Sequence, residues 1–223
     1  MTDAIKIDIW SDIACPWCYI GKRKLEFGID EYSSTEGAAP VEIEYHSFEL
    51  APDTPVDFDG SETDFLAGHK HIPREQVGPM LDRVTGIASE VGLDYDYEAL
   101  KHTNTVKAHQ LIHYAKAHGL QLQAKERLLK AYFVEGRHVG RVADLADLAA
   151  EIGLDRDDVV RSLDADEYLD DVRADQRQAQ ELGIQGVPFF VIDGKYGVSG
   201  AQDPATFAQV LAQVAGERTE VGS

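Results

Sequence analysis

The sequence predicts an α/β protein in which a βαβ unit and a ββα unit are separated by a long helical block. Three observations carry this reading. An alternating segment, Ile5 to Trp10, is followed by a helical stretch and then a second alternating segment, Val41 to Phe48. From the end of a linker at residue 62 to about residue 182 the apolar spacing is almost wholly helical. Period-two patterning then returns at Val187 to Ile192, and Asp193-Gly194 marks a hairpin into Tyr196 to Ser199.

Each element has a local reason. Residues 5–10 alternate apolar with polar, the period of a strand with one buried face. The helix after them covers roughly 16–32, and Pro16 suits its first turn, where a missing N–H costs nothing. Residues 33–40 are a loop, and residues 41–48 form the second strand. Two strands joined through a helix pair in parallel by a right-handed crossover. Residues 51–62 are a Pro/Asp/Gly-rich linker. Helices then run over Pro73–Val91, Asn104–His118, Ala124–Glu135 and Val142–Ile152, three of them closed by Gly92, Gly119 and Gly153. Asp155, with Asp158 three residues on, caps a helix over 156–163. A helix from Tyr168 to Leu182, ended by Gly183, completes the block. Asp203-Pro204 starts a last helix over 205–215, and residues 216–223 are expected to fray.

Without the block, the order is that of the thioredoxin fold, and the helix ending at Leu182 supplies its linking helix. The expected organisation is a discontinuous thioredoxin-like domain, residues 1–55 with 170–223, and an inserted helical domain, residues 56–169.

Bulk properties narrow the function. The 223 residues carry 40 acidic against 21 basic side chains, a formal charge of −19. Nucleic-acid phosphates and anionic membrane surfaces both call for Lys/Arg-rich faces, so neither is an expected partner. The excess acid reads as a solubility feature or an adaptation to salt. The apolar run after residues 1–4 is too short for a signal sequence or a membrane span, so a cytoplasmic location is expected. Stable disulfides are rare there, and a Cys-x-x-Cys pair is usually catalytic or metal-binding.

The chain's two cysteines form such a pair, Cys15-Pro16-Trp17-Cys18, at the junction of the first strand and helix. At a helix start, unpaired N–H groups and the positive dipole end stabilise a thiolate. A cysteine pKa near 8.5 in isolation falls to about 3.5–7.5 in such places. Cys18, one turn on, is placed to resolve a mixed disulfide formed at Cys15. A structural zinc would need about four ligands, and only two cysteines exist. Redox chemistry is the leading expectation.

Pro188 is the second signal. A proline lacks the N–H for a strand ladder and belongs at a strand start, an edge or a bulge. A Val187-Pro188 bond can be cis at a cost of only about 0.5–1 kcal/mol. It would then present the Val187 backbone beside the cysteines, where an extended peptide could add by β-augmentation. A proline that simply starts a strand is the bland alternative.

Here the residues resemble a known family. Ser11-Asp12-Ile13-Ala14-Cys15-Pro16-Trp17-Cys18-Tyr19-Ile20-Gly21 is similar to the active-site segment of DsbA-like thiol oxidoreductases of the FrnE subgroup. Gly186-Val187-Pro188-Phe189-Phe190 and Val198-Ser199-Gly200-Ala201-Gln202 resemble its cis-proline strand and hairpin. Asn104-Thr105 with Ala108-His109 resembles a segment of its helical insertion. The resemblance covers essentially the whole chain. It extends to 2-hydroxychromene-2-carboxylate isomerases and kappa-class glutathione transferases, which use a serine where Cys15 stands and bind glutathione. Two cysteines place this chain on the disulfide side.

The expected roles follow. Cys15 is the nucleophile, more exposed and more favoured as thiolate, and Cys18 is the resolving thiol. Pro16 and Trp17 tune the redox poise, and Val187 and Pro188 form the substrate edge. Asp12 could help move protons, with capping or a solvated loop as the plain alternatives. Lys22 and Lys24 read as an exposed helix face. His109 and His113 share metal-ligand spacing on one face, while His69 and His71 lie in a loop. No His-Glu-x-x-His pattern accompanies them, so no metal is expected, and His109 is instead read as packed near the redox face. Asn104 reaches the cleft by the resemblance, or simply caps its helix.

The expected activity is that of a thiol–disulfide oxidoreductase acting on protein or small-molecule disulfides, with the Cys15–Cys18 couple as its redox group. No resident cofactor is called for, though a low-molecular-weight thiol could be a co-substrate. The alternatives are a small-thiol-dependent isomerase or transferase, and a non-catalytic docking module. The apolar faces of the helical block could line a groove, pack on the core, or meet a second copy in a homodimer.

Overall fold

The computed structural model describes residues 4–221. Its sheet has four strands in the order β2-β1-β3-β4. β1 (Ile5–Ser11) pairs in parallel with β2 (Val41–Ser47), from Ile5 opposite Val41 to Ser11 opposite Ser47. β3 (Phe189–Ile192) runs antiparallel to β1 with Ile7 opposite Ile192, and β4 (Tyr196–Ser199) closes the hairpin. The crossover from β1 to β2 is α1 (Pro16–Ser33), and α9 (Pro204–Val221) packs along it.

The strand alternation works as expected. Ile5, Ile7 and Ile9 are fully buried and join the main core with Ile20 and Leu25 of α1 and Phe207 and Leu211 of α9. The opposite side of β1 carries Lys6, Asp8 and Trp10. Trp10 clusters with Ala179 and Ile184, while Lys6 bridges Asp8 and Glu44 at 3.0 and 2.8 Å. Asp8, Glu44 and His46 lie close enough to share an ion, but Lys6 and Lys116 hold their carboxylates. They form an ion-pair ladder on the sheet surface.

Between β2 and β3 come α2 (Glu62–His69), α3 (Arg74–Glu90), α4 (Val106–Ala117), α5 (Gln121–Phe133), α6 (Val142–Glu151), α7 (Arg156–Asp164) and α8 (Leu169–Glu181). The Asp155 cap is present, its side chain accepting from the Asp158 amide. α2 lies outside the helices expected from apolar spacing, because it is short and capped rather than amphipathic. Ser61 accepts from the Asp64 amide at 3.2 Å, and Asp64 accepts from the Ser61 amide at 2.8 Å. His69 accordingly ends a helix instead of lying in a loop. α9 remains helical through residues 216–221, where fraying was expected. Arg218 holds that end by donating to Ala4 O at 3.2 Å and to Asp193; residues 222–223 lie outside the described part. β3 starts at Phe189, not Val187, and it is an inner strand.

One side chain joins the sheet to the helices. Asp175 of α8 accepts from His46 Nδ1 at 2.9 Å, from the Ser47 amide at 2.7 Å, and contacts His113 Nε2 of α4 at 3.0 Å. Its backbone carbonyl accepts from the Trp10 indole at 3.1 Å. Burial opposes the Asp175 charge, but His113, His46 and the Ser47 amide outweigh it. The carboxyl is held well below the usual range. His109 and His113 therefore do not converge on a common ligand, since each is turned to a different carboxylate.

Replacing Asp175 by alanine is expected to cost about 3–5 kcal/mol at pH 7, the penalty for leaving buried ionic partners unmatched. A depressed carboxyl stabilises the fold above its unfolded pKa of about 3.9 and loses that contribution as pH falls through the folded value. The gap between wild type and variant should therefore narrow below pH ~4 in denaturant titrations. Equal stability at pH 7 would contradict the assignment.

Candidate redox site

Where β1 ends, the chain turns through Asp12 to Ala14 and enters α1. Cys15 is the N-cap, with φ −93° and ψ 113°, and Pro16 opens the helix. The Cys18 amide donates to the Cys15 carbonyl at 3.0 Å, so the two sulfurs sit one tight turn apart. Both thiols are free. The Val187–Pro188 peptide is cis. The Cys15 thiol donates to the Val187 carbonyl at 3.4 Å, and Pro188 O accepts from the Gly200 amide at 2.9 Å. Gly21 lets α1 press on this segment, because a Cβ there would stand 2.9 Å from Pro188 Cγ.

Exposure does not distinguish the cysteines as expected. Cys15 is 3 % exposed and Cys18 2 %. The helical block covers the turn: Tyr95, stacked on Phe133, donates its hydroxyl to Pro16 O at 2.7 Å. Direction of access does distinguish them. Cys15 lines a cavity of about 570 Å³ and Cys18 does not. The cavity lining brings Cys15, Trp17 and Val187 together with Phe65, Leu81 and Val84 of the helical block. Trp17, 38 % exposed, stands at its rim. The peptide-binding edge is shorter than expected. β3 is flanked on both sides, leaving only the Gly186–Val187 stretch ahead of it beside the sulfur.

The electrostatics also revise the sequence expectation. Hydrogen bonding to the Cys18 sulfur, then burial, push the Cys15 thiol well up. Burial opposes ionisation of Cys18 too, but the hydrogen bond from Cys15 and the charge of Lys125 outweigh it, and Cys18 is held low. The two thiols titrate as a coupled pair. The helix start alone favours charge on Cys15, whereas the hydrogen bond between the sulfurs, and behind it the charge of Lys125, favour charge on Cys18.

Lys125 is the residue the sequence expectations missed. It lies on α5, 1 % exposed, with its ammonium 5.3 Å from the centre of the Tyr45 ring. Burial pushes its pKa down to about 8, against the pull of Cys18, Asp12 and Cys15. The signal was present: Gln121, Lys125, Leu128 and Leu129 share the buried stripe of α5, and a lysine on such a stripe is rare without a partner.

Asp12 is buried rather than solvated, and it caps backbone amides. Its Oδ1 accepts from Thr105 Oγ1 at 2.9 Å and the Ala14 amide at 3.4 Å, and contacts His109 Nε2 at 3.2 Å. Its Oδ2 accepts from the Leu50 amide at 2.8 Å. Burial opposes the charge, yet His109, Leu50 and Thr105 together hold the carboxyl low. His109 thus reaches the redox face through Asp12, while Asn104 turns away from it. Asn104 accepts from the Val106 amide at 2.9 Å and donates to Pro52 O at 2.8 Å, and its neighbours Thr103 and Thr105 line the cavity. Lys22 is buried against Glu26 and Glu126 rather than exposed, and Lys24 pairs with Asp203 at 3.2 Å.

Residues 6–212 match the DsbA-like thioredoxin domain family. The chain is similar to a crystal structure of a probable DsbA oxidoreductase from Streptomyces coelicolor, at 38% identity and a TM-score of 0.87, over 96% of this chain and 91% of that one. It is 26% identical to the uncharacterized protein YwbO of Bacillus subtilis, over 93% of this chain and 96% of that protein. A structure of 2-hydroxychromene-2-carboxylate isomerase is similar in fold, with 15% identity and a TM-score of 0.74, over 98% of this chain and 100% of that one. Among the described residues no helix is long and apolar enough to cross a membrane.

Exchanging Lys125 for methionine is expected to raise the pH of first thiolate formation by on the order of one unit. Ultraviolet thiolate absorbance of the reduced protein reads this directly, and an unchanged titration would remove Lys125 from the site. The charged lysine is also a cost to the fold. Its folded pKa lies below the unfolded value of about 10.4, so stability rises with pH between the two. The methionine variant should be the more stable protein at pH 7, by a margin that shrinks from pH 8 upward.

Proposed function

The chain belongs to the DsbA-like thioredoxin domain family, and on that premise we propose that it is a thiol–disulfide oxidoreductase working through Cys15 and Cys18. The observation that carries this reading is the division of labour between the sulfurs. Cys15 faces the cavity at a helix N-cap, and Cys18 lies behind it with Lys125 charge to support an anion.

In the reducing direction, the Cys15 proton shifts to the Cys18 sulfur and the Cys15 thiolate attacks a substrate disulfide. One substrate sulfur leaves as a thiolate, and a Cys15–substrate disulfide remains. Cys18 then passes its proton to the departed substrate thiolate and attacks Cys15 Sγ, expelling the second substrate sulfur as a thiolate. Two electrons pass from the dithiol to the substrate, and the couple ends as a Cys15–Cys18 disulfide. Lys125 stabilises Cys18 as attacking thiolate in this direction and as leaving thiolate in the reverse. The Val187 carbonyl sits where an extended substrate would be aligned against Cys15. Protein and small-molecule disulfides are both admissible substrates.

A second reading has one specific support. The apolar cavity opening on Cys15, together with the fold shared with 2-hydroxychromene-2-carboxylate isomerase, suits a small-thiol-dependent isomerase or transferase. Such chemistry would leave Cys18 unused.

Insulin reduction separates the two. Cys15→Ser is expected to lose at least ~100-fold in rate, since the attacking sulfur is gone. Cys18→Ser should accumulate a mixed disulfide on Cys15, visible by mass spectrometry and released by dithiothreitol. Full activity in Cys15→Ser would sink the oxidoreductase reading. Undiminished turnover by Cys18→Ser with a small thiol would favour the isomerase.

A further inference from the structure

In a chain this acidic, most lysines and arginines pair with a carboxylate, and among the described residues Lys70, Arg83, Lys101, Lys125 and Arg177 do not. Ion pairs engage Lys6, Arg23, Lys107, Arg127, Arg156 and Arg173 among many others. Among the described residues Lys70 and Arg83 have no carboxylate within 4.0 Å and no side-chain hydrogen bond, and both line the cavity that opens on Cys15. They come from different places, Lys70 from the end of α2 and Arg83 from the middle of α3. Of the four exposed lysines and arginines without an ion pair among the described residues, these two share one cavity, while Lys101 and Arg177 lie outside it.

The carboxylates that line the cavity are not in contact with these cations. Glu62 is bound to His102 Nδ1 at 2.7 Å, and Asp12 is saturated by its four donors. The rest of the lining is largely apolar, with Phe65, Leu66, Ile72, Met80, Leu81 and Val84. At about 570 Å³ the space lies in the ordinary range for a small molecule, about 300–1,000 Å³. It does not have the open-strand character that a polypeptide would use, since β3 is paired on both edges.

We propose that this cavity selects small disulfides whose apolar body carries a carboxylate or comparable anion. Lys70 and Arg83 hold the anion, the aliphatic and aromatic wall takes the body, and the disulfide faces Cys15. This deepens the oxidoreductase reading and rests on it. The step balances without another reactant: the reduced dithiol and the small disulfide give the Cys15–Cys18 disulfide and two small thiols.

The test is a single-turnover reaction of pre-reduced protein with two aromatic disulfides, anionic dithiobis-nitrobenzoate and neutral dithiodipyridine. Wild type is compared with the Lys70→Gln, Arg83→Gln double variant, whose exchanges lie at exposed positions. The double variant is expected to react about tenfold more slowly with the anionic probe, in line with two solvent-exposed ion contacts. The loss should appear in the concentration giving half-maximal rate, not in the limiting rate, and should disappear at high salt. With the neutral probe its rate should stay within about twofold of wild type. Unchanged reactivity toward the anionic probe, or equal slowing toward both, overturns the proposal. Failure of the oxidoreductase reading looks different: neither probe would convert the wild-type dithiol to a Cys15–Cys18 disulfide.

Discussion

The Asp12 carboxylate is almost wholly removed from solvent, yet it stays ionised because its contacts come from three separate stretches of chain. The Ala14 amide belongs to its own turn, the Leu50 amide to the segment after β2, and Thr105 and His109 to the start of α4. A buried charge without such partners would cost several kcal/mol, so the arrangement tolerates little displacement of any of them. The consequence is positional. The cysteine turn, the exit of β2 and the first turn of α4 meet at one point, and the cavity wall contributed by the helical block is fixed relative to Cys15.

The acid–base character of the dithiol comes from this convergence and not from the helix start alone. Elementary electrostatics at an N-cap favours charge on Cys15. Two additions alter the balance: Asp12 places a negative charge near Cys15, and α5 places a positive one near Cys18. Both influences act on the pair through the packing of α1 against the helical block, so the chemistry of the dithiol is set by the fold and not by the turn alone.

The strand order, the crossover and the position of the cysteines were legible because they depend on short-range pattern. Alternation at residues 5–10 and 41–48, the prolines at 16 and 204, and the turn at 193–194 each act within a few residues. What pattern could not reach was long-range. Lys125 lies 107 residues from Cys18, and only folding reveals that its stripe faces the sulfurs. Asp175 and His46 are 129 residues apart. α2 escaped for another reason: its helix is specified by the Ser61–Asp64 box rather than by an apolar face. The cleft position that the resemblance gave Asn104 is taken by Thr103 and Thr105, while its own side chain accepts from the Val106 amide at the start of α4.

The absence of a side chain at Gly21 sets how close α1 comes to Pro188. With no methyl between them, the first turns of α1 pack directly on the Val187–Pro188 segment, so the spacing between the Cys15 sulfur and the Val187 carbonyl is set where helix and strand entry meet.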